Sequence, residues 1–123
     1  MGTKTILVVD DEKHISHVLK FALEKIACTV VAAYDGDQAL AAAAAQTFDL
    51  AIVDYDMPGM NGIETVRALK IIPACSDMPI VMLTGRGERS IRAQAESLGI
   101  SLFLNKPFSP TQLRKHVSSL LGL

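Results

Sequence analysis

Three aspartates, a threonine and a lysine stand directly behind short apolar runs in this chain. Ile6-Leu7-Val8-Val9 leads into Asp10-Asp11, and Leu50-Ala51-Ile52-Val53 leads into Asp54. Further on, Ile80-Val81-Met82-Leu83 leads into Thr84, and Leu102-Phe103-Leu104-Asn105 leads into Lys106. Two carboxylates about 4 Å apart in a partly shielded pocket repel by about 4 kcal/mol at an effective dielectric of about 20. A pocket holding three needs protons or a cation. Hard oxygen donors in small number, with room left for water and phosphate oxygens, suit Mg²⁺ better than a fully caged Ca²⁺. Lys106 adds a positive charge and Thr84 a hydroxyl donor. Together they can position and neutralise a phosphoryl group in transfer. No serine, histidine or cysteine nucleophile belongs to the set. The available nucleophile is a carboxylate, and its attack on phosphorus gives an acyl phosphate.

Each residue taken singly has a plainer reading. Asp10-Asp11 could cap a helix, Thr84 could close a turn, and Lys106 could be a solvated charge. The signal lies in the group, because each member ends a separate buried run.

Convergence requires parallel neighbouring strands, whose C-terminal ends form the ligand-binding edge of an open α/β sheet. Strand and helix signals do alternate along the chain. Ile15, Val18, Leu19, Ala22, Leu23 and Ile26 mark one face of a first amphipathic helix. Thr29 to Ala33 is a β-branched run bounded by Asp35-Gly36. Gln38 to Gln46, with its five consecutive alanines, reads as a closely packing helix. The third strand is expected over Phe48 to Val53. A turn at Pro58-Gly59 and Asn61-Gly62 then leads into a helix that stops before Pro73. Pro79 opens the fourth strand. Ser90 to Leu98 reads as a helix ended by Gly99, and Leu102 to Leu104 as the fifth strand. Ser109 caps the last helix, with Pro110 at its first position and Leu113, Val117, Leu120 and Leu121 as its buried stripe. The order is (βα) five times, which implies a parallel sheet covered on both faces by right-handed crossovers. One domain is expected to span residues 1–123.

Composition narrows the classes. Half of the 123 residues are apolar and a fifth are charged, so a packed core is expected. A net charge of −1 without a basic run gives no footprint for direct nucleic-acid binding. There is no signal-peptide pattern and no apolar stretch near the length of about 20 residues that spans a membrane. Cys28 and Cys75 match no metal or redox spacing and read as reduced thiols. A cytoplasmic location is the expectation.

Val8-Val9-Asp10-Asp11-Glu12, Asp54-Tyr55-Asp56-Met57-Pro58-Gly59-Met60-Asn61-Gly62, Leu83-Thr84-Gly85 and Lys106-Pro107-Phe108 together resemble the receiver domain of bacterial two-component response regulators. The resemblance runs over the whole chain. It implies a flavodoxin-like fold with strand order 2-1-3-4-5. It also makes Asp54 the phosphoacceptor, supplied by a histidine kinase or a histidine phosphotransfer protein. Asp11, Asp54 and the backbone carbonyl of Asp56 would ligate Mg²⁺, with Asp10 acting mostly through water. Lys106 would contact the phosphoryl oxygens, and the Lys106–Pro107 bond is expected to be cis. The Thr84 hydroxyl would swing onto the phosphoryl group and Phe103 would fill the vacated space past Gly85. The surface of the fourth helix, fifth strand and fifth helix would then change state. Asp56 and Arg86 resemble positions that tune the phosphoryl lifetime.

The pattern also departs from the family. Gly99-Ile100-Ser101-Leu102 stands where an acidic pair often precedes the fifth strand, so Leu102 is a packing residue or an apolar addition to the output face. Arg86, Arg89 and Arg92 form either a basic stripe or a solvated face. His14, His17 and His116 lack metal-ligand spacing and are expected at the surface. The rival functions are a phosphorylation-independent pseudo-receiver and a Mg²⁺-dependent aspartyl-phosphate phosphatase. Against the phosphatase, Asp54-Tyr55-Asp56 follows the third strand rather than the first, and Pro58 stands where that class has Thr or Val. The partner downstream is a protein target or an attached output domain, and the chain is a monomer or a phosphorylation-dependent dimer.

Overall fold

The computed structural model describes residues 3–85 and 89–123. Five strands alternate with five α-helices: β1 Lys4–Val9, α1 Lys13–Glu24, β2 Cys28–Ala33, α2 Gly36–Ala45, β3 Leu50–Asp54, α3 Gly62–Ile71, β4 Ile80–Thr84, α4 Arg89–Ser97, β5 Leu102–Asn105 and α5 Pro110–Leu121. The strands pair in parallel in the order β2-β1-β3-β4-β5. The order expected from the family resemblance is therefore the observed one.

Period-2 alternation splits the apolar side chains between two cores, one on each face of the sheet. Leu7, Val9, Ala51, Val53, Ile80 and Met82 pack with α2, α3 and α4. Ile6, Val8, Leu50, Ile52, Val81 and Leu83 pack with α1 and α5. A strand buried on both faces must be apolar at every position, which is why β1, β3 and β4 read as unbroken runs.

Several boundaries differ from the sequence reading. β3 starts at Leu50 rather than Phe48. Asp49 instead ties the strand's entrance to β1, its carboxylate accepting from the Thr5 N–H at 2.8 Å. α2 starts at Gly36, because Asp35 caps it by accepting from the Gln38 N–H at 2.7 Å. Val18, expected in the buried stripe of α1, is 39% exposed, whereas Ser16 is buried. The buried arc of α1 runs through Ser16, Leu19 and Leu23, which leaves Val18 on its shoulder. A 3₁₀ turn at Pro73–Cys75 follows α3, where the sequence pattern shows only a stop before Pro73. It is tied down by Lys70, whose ammonium donates to the carbonyls of Ser76 and Met78. The capping of α5 is as expected, with Ser109 accepting from the Gln112 N–H at 3.2 Å. Both cysteines are free and buried, and all three histidines are exposed. No helix among the described residues is long and apolar enough to cross a membrane.

Candidate functional site

The ends of β1 and β3 are neighbours in the sheet, and the long Lys106 side chain reaches them from beyond β5, across the width of β4. Asp10 continues the parity of Ile6 and Val8, Asp54 that of Leu50 and Ile52, and Lys106 that of Leu102 and Leu104. All three fall on the α1/α5 side of the sheet. Lys106 Nζ lies 3.1 Å from Asp10 Oδ2 and 3.2 Å from Asp54 Oδ1. Asp10, Asp11 and Asp54 each offer a carboxylate oxygen, and these oxygens lie within 4.8 Å of one another. Asp10 and Asp54 are each 1% exposed, while Asp11 is exposed. Of the sequence-derived set, the three aspartates and Lys106 are thus brought together.

Burial sets the electrostatics. Desolvation, reinforced by the neighbouring Asp10, pushes the Asp54 carboxyl up to about 6 against the opposing Lys106 and Asp56 N–H. Asp10 is also raised by desolvation, against the Glu12 N–H and Lys106. Burial alone would lower Lys106, but its hydrogen bond to Asp10 and the charges of Asp10 and Asp54 outweigh that and push it up to about 12. Asp54 Oδ2 is buried without a hydrogen-bond partner. An orphaned anionic oxygen is costly, and three clustered carboxylates offer the hard donor set that a small divalent cation takes. The donor set fits Mg²⁺.

Backbone contacts hold the pocket's shape. The Glu12 N–H donates to Asp10 Oδ1 at 2.9 Å, and the Asp56 N–H donates to Asp54 Oδ1 at 3.3 Å. The Lys106 N–H donates to the Thr84 carbonyl at 2.7 Å, and the Lys106–Pro107 bond is cis. Gly62 packs directly on the acceptor strand's end: a Cβ there would stand 2.6 Å from the Asp54 carbonyl oxygen and the Tyr55 Cα. Asn61 anchors this corner through a reciprocal capping box with Glu64.

Thr84 and Phe103 sit elsewhere. Thr84 is fully buried and continues the parity of Ile80 and Met82, on the α3/α4 side. Phe103 is half-buried against the same core, and the Arg92 guanidinium stacks 5.2 Å over its ring. Beside Thr84, a Cβ built on Gly85 would meet nothing closer than Asp56 Oδ2 at 4.0 Å, so the gap beside it is open. The Gly85 N–H donates to that carboxylate at 3.3 Å. Leu102 packs into the α1/α5-side core, the packing role of its two expected ones. Arg86 lies outside the described residues.

Sequence reasoning missed Glu12, whose Oε1 is 3.3 Å from Lys106 Nζ. Its position directly behind the aspartate pair was the available signal. It also missed that Gly62 abuts the Asp54 backbone, since a glycine after a turn asparagine has an ordinary conformational reading.

The family model of the response regulator receiver domain matches residues 6–118. The chain is 37% identical over 121 residues to the phosphate regulon transcriptional regulatory protein PhoB of Pseudomonas aeruginosa, covering 98% of this chain and 53% of that protein. It is 38% identical over 120 residues to the cyclic di-GMP phosphodiesterase response regulator RpfG of Xanthomonas campestris pv. campestris, covering 96% of this chain and 32% of that protein. The chain therefore spans about half or less of the length of these curated relatives. Among solved structures, the chemotaxis protein CheY4 of Vibrio cholerae superposes with a TM-score of 0.92 at 32% identity, over 98% of this chain and all of that one. The chain belongs to the response regulator receiver domain family and is a receiver of two-component signalling.

Proposed function

We propose that this receiver accepts a phosphoryl group on Asp54 from a histidine kinase or a histidine phosphotransfer protein in the cytoplasm. The observation that carries the reading is the asymmetry of the Asp54 carboxylate. Oδ1 is held by Lys106 and the Asp56 N–H, whereas Oδ2 is buried and without a partner. One oxygen is fixed and the other is free to attack. As Oδ2 bonds to phosphorus, the bond from phosphorus to the donor breaks, and its electron pair leaves with the donor group. Asp10, Asp11 and Asp54, with the Asp56 backbone carbonyl, would hold Mg²⁺. When bound, that ion neutralises the carboxylates and the transferring oxygens. Lys106 orients the phosphoryl oxygens from the opposite side.

Thr84 and Phe103 then carry the switch. They lie on one face of the sheet, beside the open space at Gly85, so an inward swing of the hydroxyl leaves room for the ring. Phosphorylation shifts that equilibrium by as much as it stabilises one state over the other. The output belongs to a separate protein target or an attached domain, acting through α4, β5 and α5. The relatives that share this portion carry names as different as a transcriptional regulator and a phosphodiesterase response regulator. Asp56, through its contact with Gly85, and Arg86 tune the phosphoryl lifetime. The receiver is a monomer that dimerises, if at all, on phosphorylation.

Intact mass after incubation with Mg²⁺ and a small acyl-phosphate donor tests the reading. Gain of one phosphoryl group is expected, lost in Asp54→Asn and with a chelator. A chain that gains none is a pseudo-receiver.

A further inference from the structure

Lys106 Nζ is shared by three carboxylates, and they are not equivalent. Asp10 and Asp54 belong to the metal-capable cluster, and their side chains are 2% and 1% exposed. Glu12 is outside that cluster, its side chain is 50% exposed, and its Oε1 still reaches Lys106 Nζ at 3.3 Å. Glu12 also occupies the N-cap position of α1 yet makes no side-chain cap hydrogen bond. Short side chains such as Ser, Asp and Asn serve that position best. The longer glutamate instead extends across the mouth of the pocket. Its backbone is fixed by the bond from its N–H to Asp10 Oδ1, so the side chain starts from a defined place. Glu12 and Lys106 together also line a groove of about 360 Å³ with Ile15, Val18, Pro107 and Phe108. The ion pair therefore marks the boundary between groove and acid pocket.

We infer that Glu12 is a positioning residue that holds the Lys106 ammonium at the outer rim of the pocket and competes there with the anionic phosphodonor. This rests on the phosphoacceptor reading of Asp54. A cation bound by the three aspartates would offset their charge, but Glu12 lies outside that set, so the cation does not take it from Lys106. An incoming dianionic phosphoryl group needs the ammonium that Glu12 occupies. A half-exposed ion pair yields easily, changing an equilibrium by about fivefold at most. Glu12 is therefore a brake on donor capture, while the inner two contacts keep Lys106 in the site when the brake is released.

The test measures phosphorylation rate against acyl-phosphate concentration, with Mg²⁺, for the wild type, Glu12→Gln and Glu12→Asp. Glutamine removes the charge; aspartate keeps it but withdraws it from Lys106 by one methylene. Both variants are expected to lower the half-saturating donor concentration by about threefold, with the maximal rate unchanged. An effect in Glu12→Gln alone would mean a long-range field rather than a contact, and would overturn the inference, as would no effect in either. If the wild type accepts no phosphoryl group, the receiver chemistry itself has failed, and a second measurement still decides on Glu12. Trace acetylation followed by peptide mass compares Lys106 with the exposed Lys115. Acylation needs an amine that can leave its ion pairs and reach the reagent, and Glu12 holds Lys106 Nζ from the mouth of the pocket. Labelling of Lys106 relative to Lys115 should rise about threefold in both variants; an unchanged ratio would refute the contact.

Discussion

The two halves of the sheet's C-terminal edge are built differently. On one side, β1 and β3 are closed to solvent: Ile6 to Val9 and Leu50 to Val53 are each at most 1% exposed. On the other, Leu102, Phe103 and Leu104 of β5 are half-buried and Asn105 is exposed. Packed strands cannot retreat from one another, so Asp10 and Asp54 cannot relieve their repulsion by moving apart. They must be neutralised, and Lys106 does only part of that work. The looser edge carries the opposite property, since an element with few buried contacts opens at low cost. Strain at a rigid end and motion at a soft end together make a chemical event readable at a surface.

The contrast fails first if packing does not differ. Leu50 and Leu104 serve the same α1/α5-side core, one fully buried and one half-buried. Leu50→Ala should cost about 3–5 kcal/mol in denaturant unfolding, and Leu104→Ala about 1–2 kcal/mol. Equal losses would remove the distinction between a rigid and a soft edge.

The next effect concerns charge. The Asp54 carboxyl, raised from 3.8 to about 6, favours the folded state most while it is protonated. The stability it lends is present below about pH 4 and is lost as the pH rises through about 6. The shift, which already includes the opposing Lys106 contact, sets a ceiling of about 3 kcal/mol, part of which relaxation around the carboxylate takes back. Asp54→Asn should therefore raise stability by about 2 kcal/mol at pH 7.5, with the gain fading towards pH 4. Thermal unfolding across that range measures it. Mg²⁺ should raise the wild-type midpoint at pH 7.5 and leave that of Asp54→Asn nearly unchanged. A pH-independent gain would mean that burial does not strain this carboxylate.

Gly62 tests the same rigidity sterically. Its missing Cβ is replaced by backbone, with the Asp54 carbonyl oxygen at 2.6 Å, and backbone cannot rotate away. Gly62→Ala should destabilise by about 1–3 kcal/mol and slow phosphoryl uptake in the intact-mass assay, because the Asp54 peptide must shift. A neutral result would show that the acceptor strand has slack.

The rigid half was also the legible half. Strands buried on both faces leave unbroken apolar runs, and residues at their ends can be found by counting. The sheet order followed once the Asp54–Gly62 and Lys106–Phe108 motifs pointed to the family. What stayed hidden depends on side-chain reach and solvent geometry. Val18 keeps helical spacing with Ile15 and Ala22, yet it sits on the shoulder of α1 because the buried arc is narrower than the apolar pattern. Glu12 reads as one more acid after two others, and its contact with Lys106 spans 94 residues. Phe48 is buried but stands outside the strand, since Asp49 turns the chain into β3.

The smallest expected effect lies at the soft edge, where Arg92 stacks on Phe103. Spacing groups Arg92 with Arg86 and Arg89 as either a basic stripe or a solvated face, but its guanidinium rests on the ring proposed to move. An exposed cation–π contact contributes about 0.5–1 kcal/mol, so Arg92→Ala should lower stability by no more than that. Its consequence for signalling is larger than its cost in folding. The contact is made with the ring in its half-exposed position, so removing it favours the inward position and weights the switch towards the state that phosphorylation selects. NMR signals of the Phe103 ring should then move part of the way to their phosphorylated positions before any phosphoryl group is added. Uptake on Asp54 should stay at the wild-type rate, because Arg92 lies across the sheet from the acid pocket. A slowed uptake with an unmoved ring would show instead that the two edges are mechanically one.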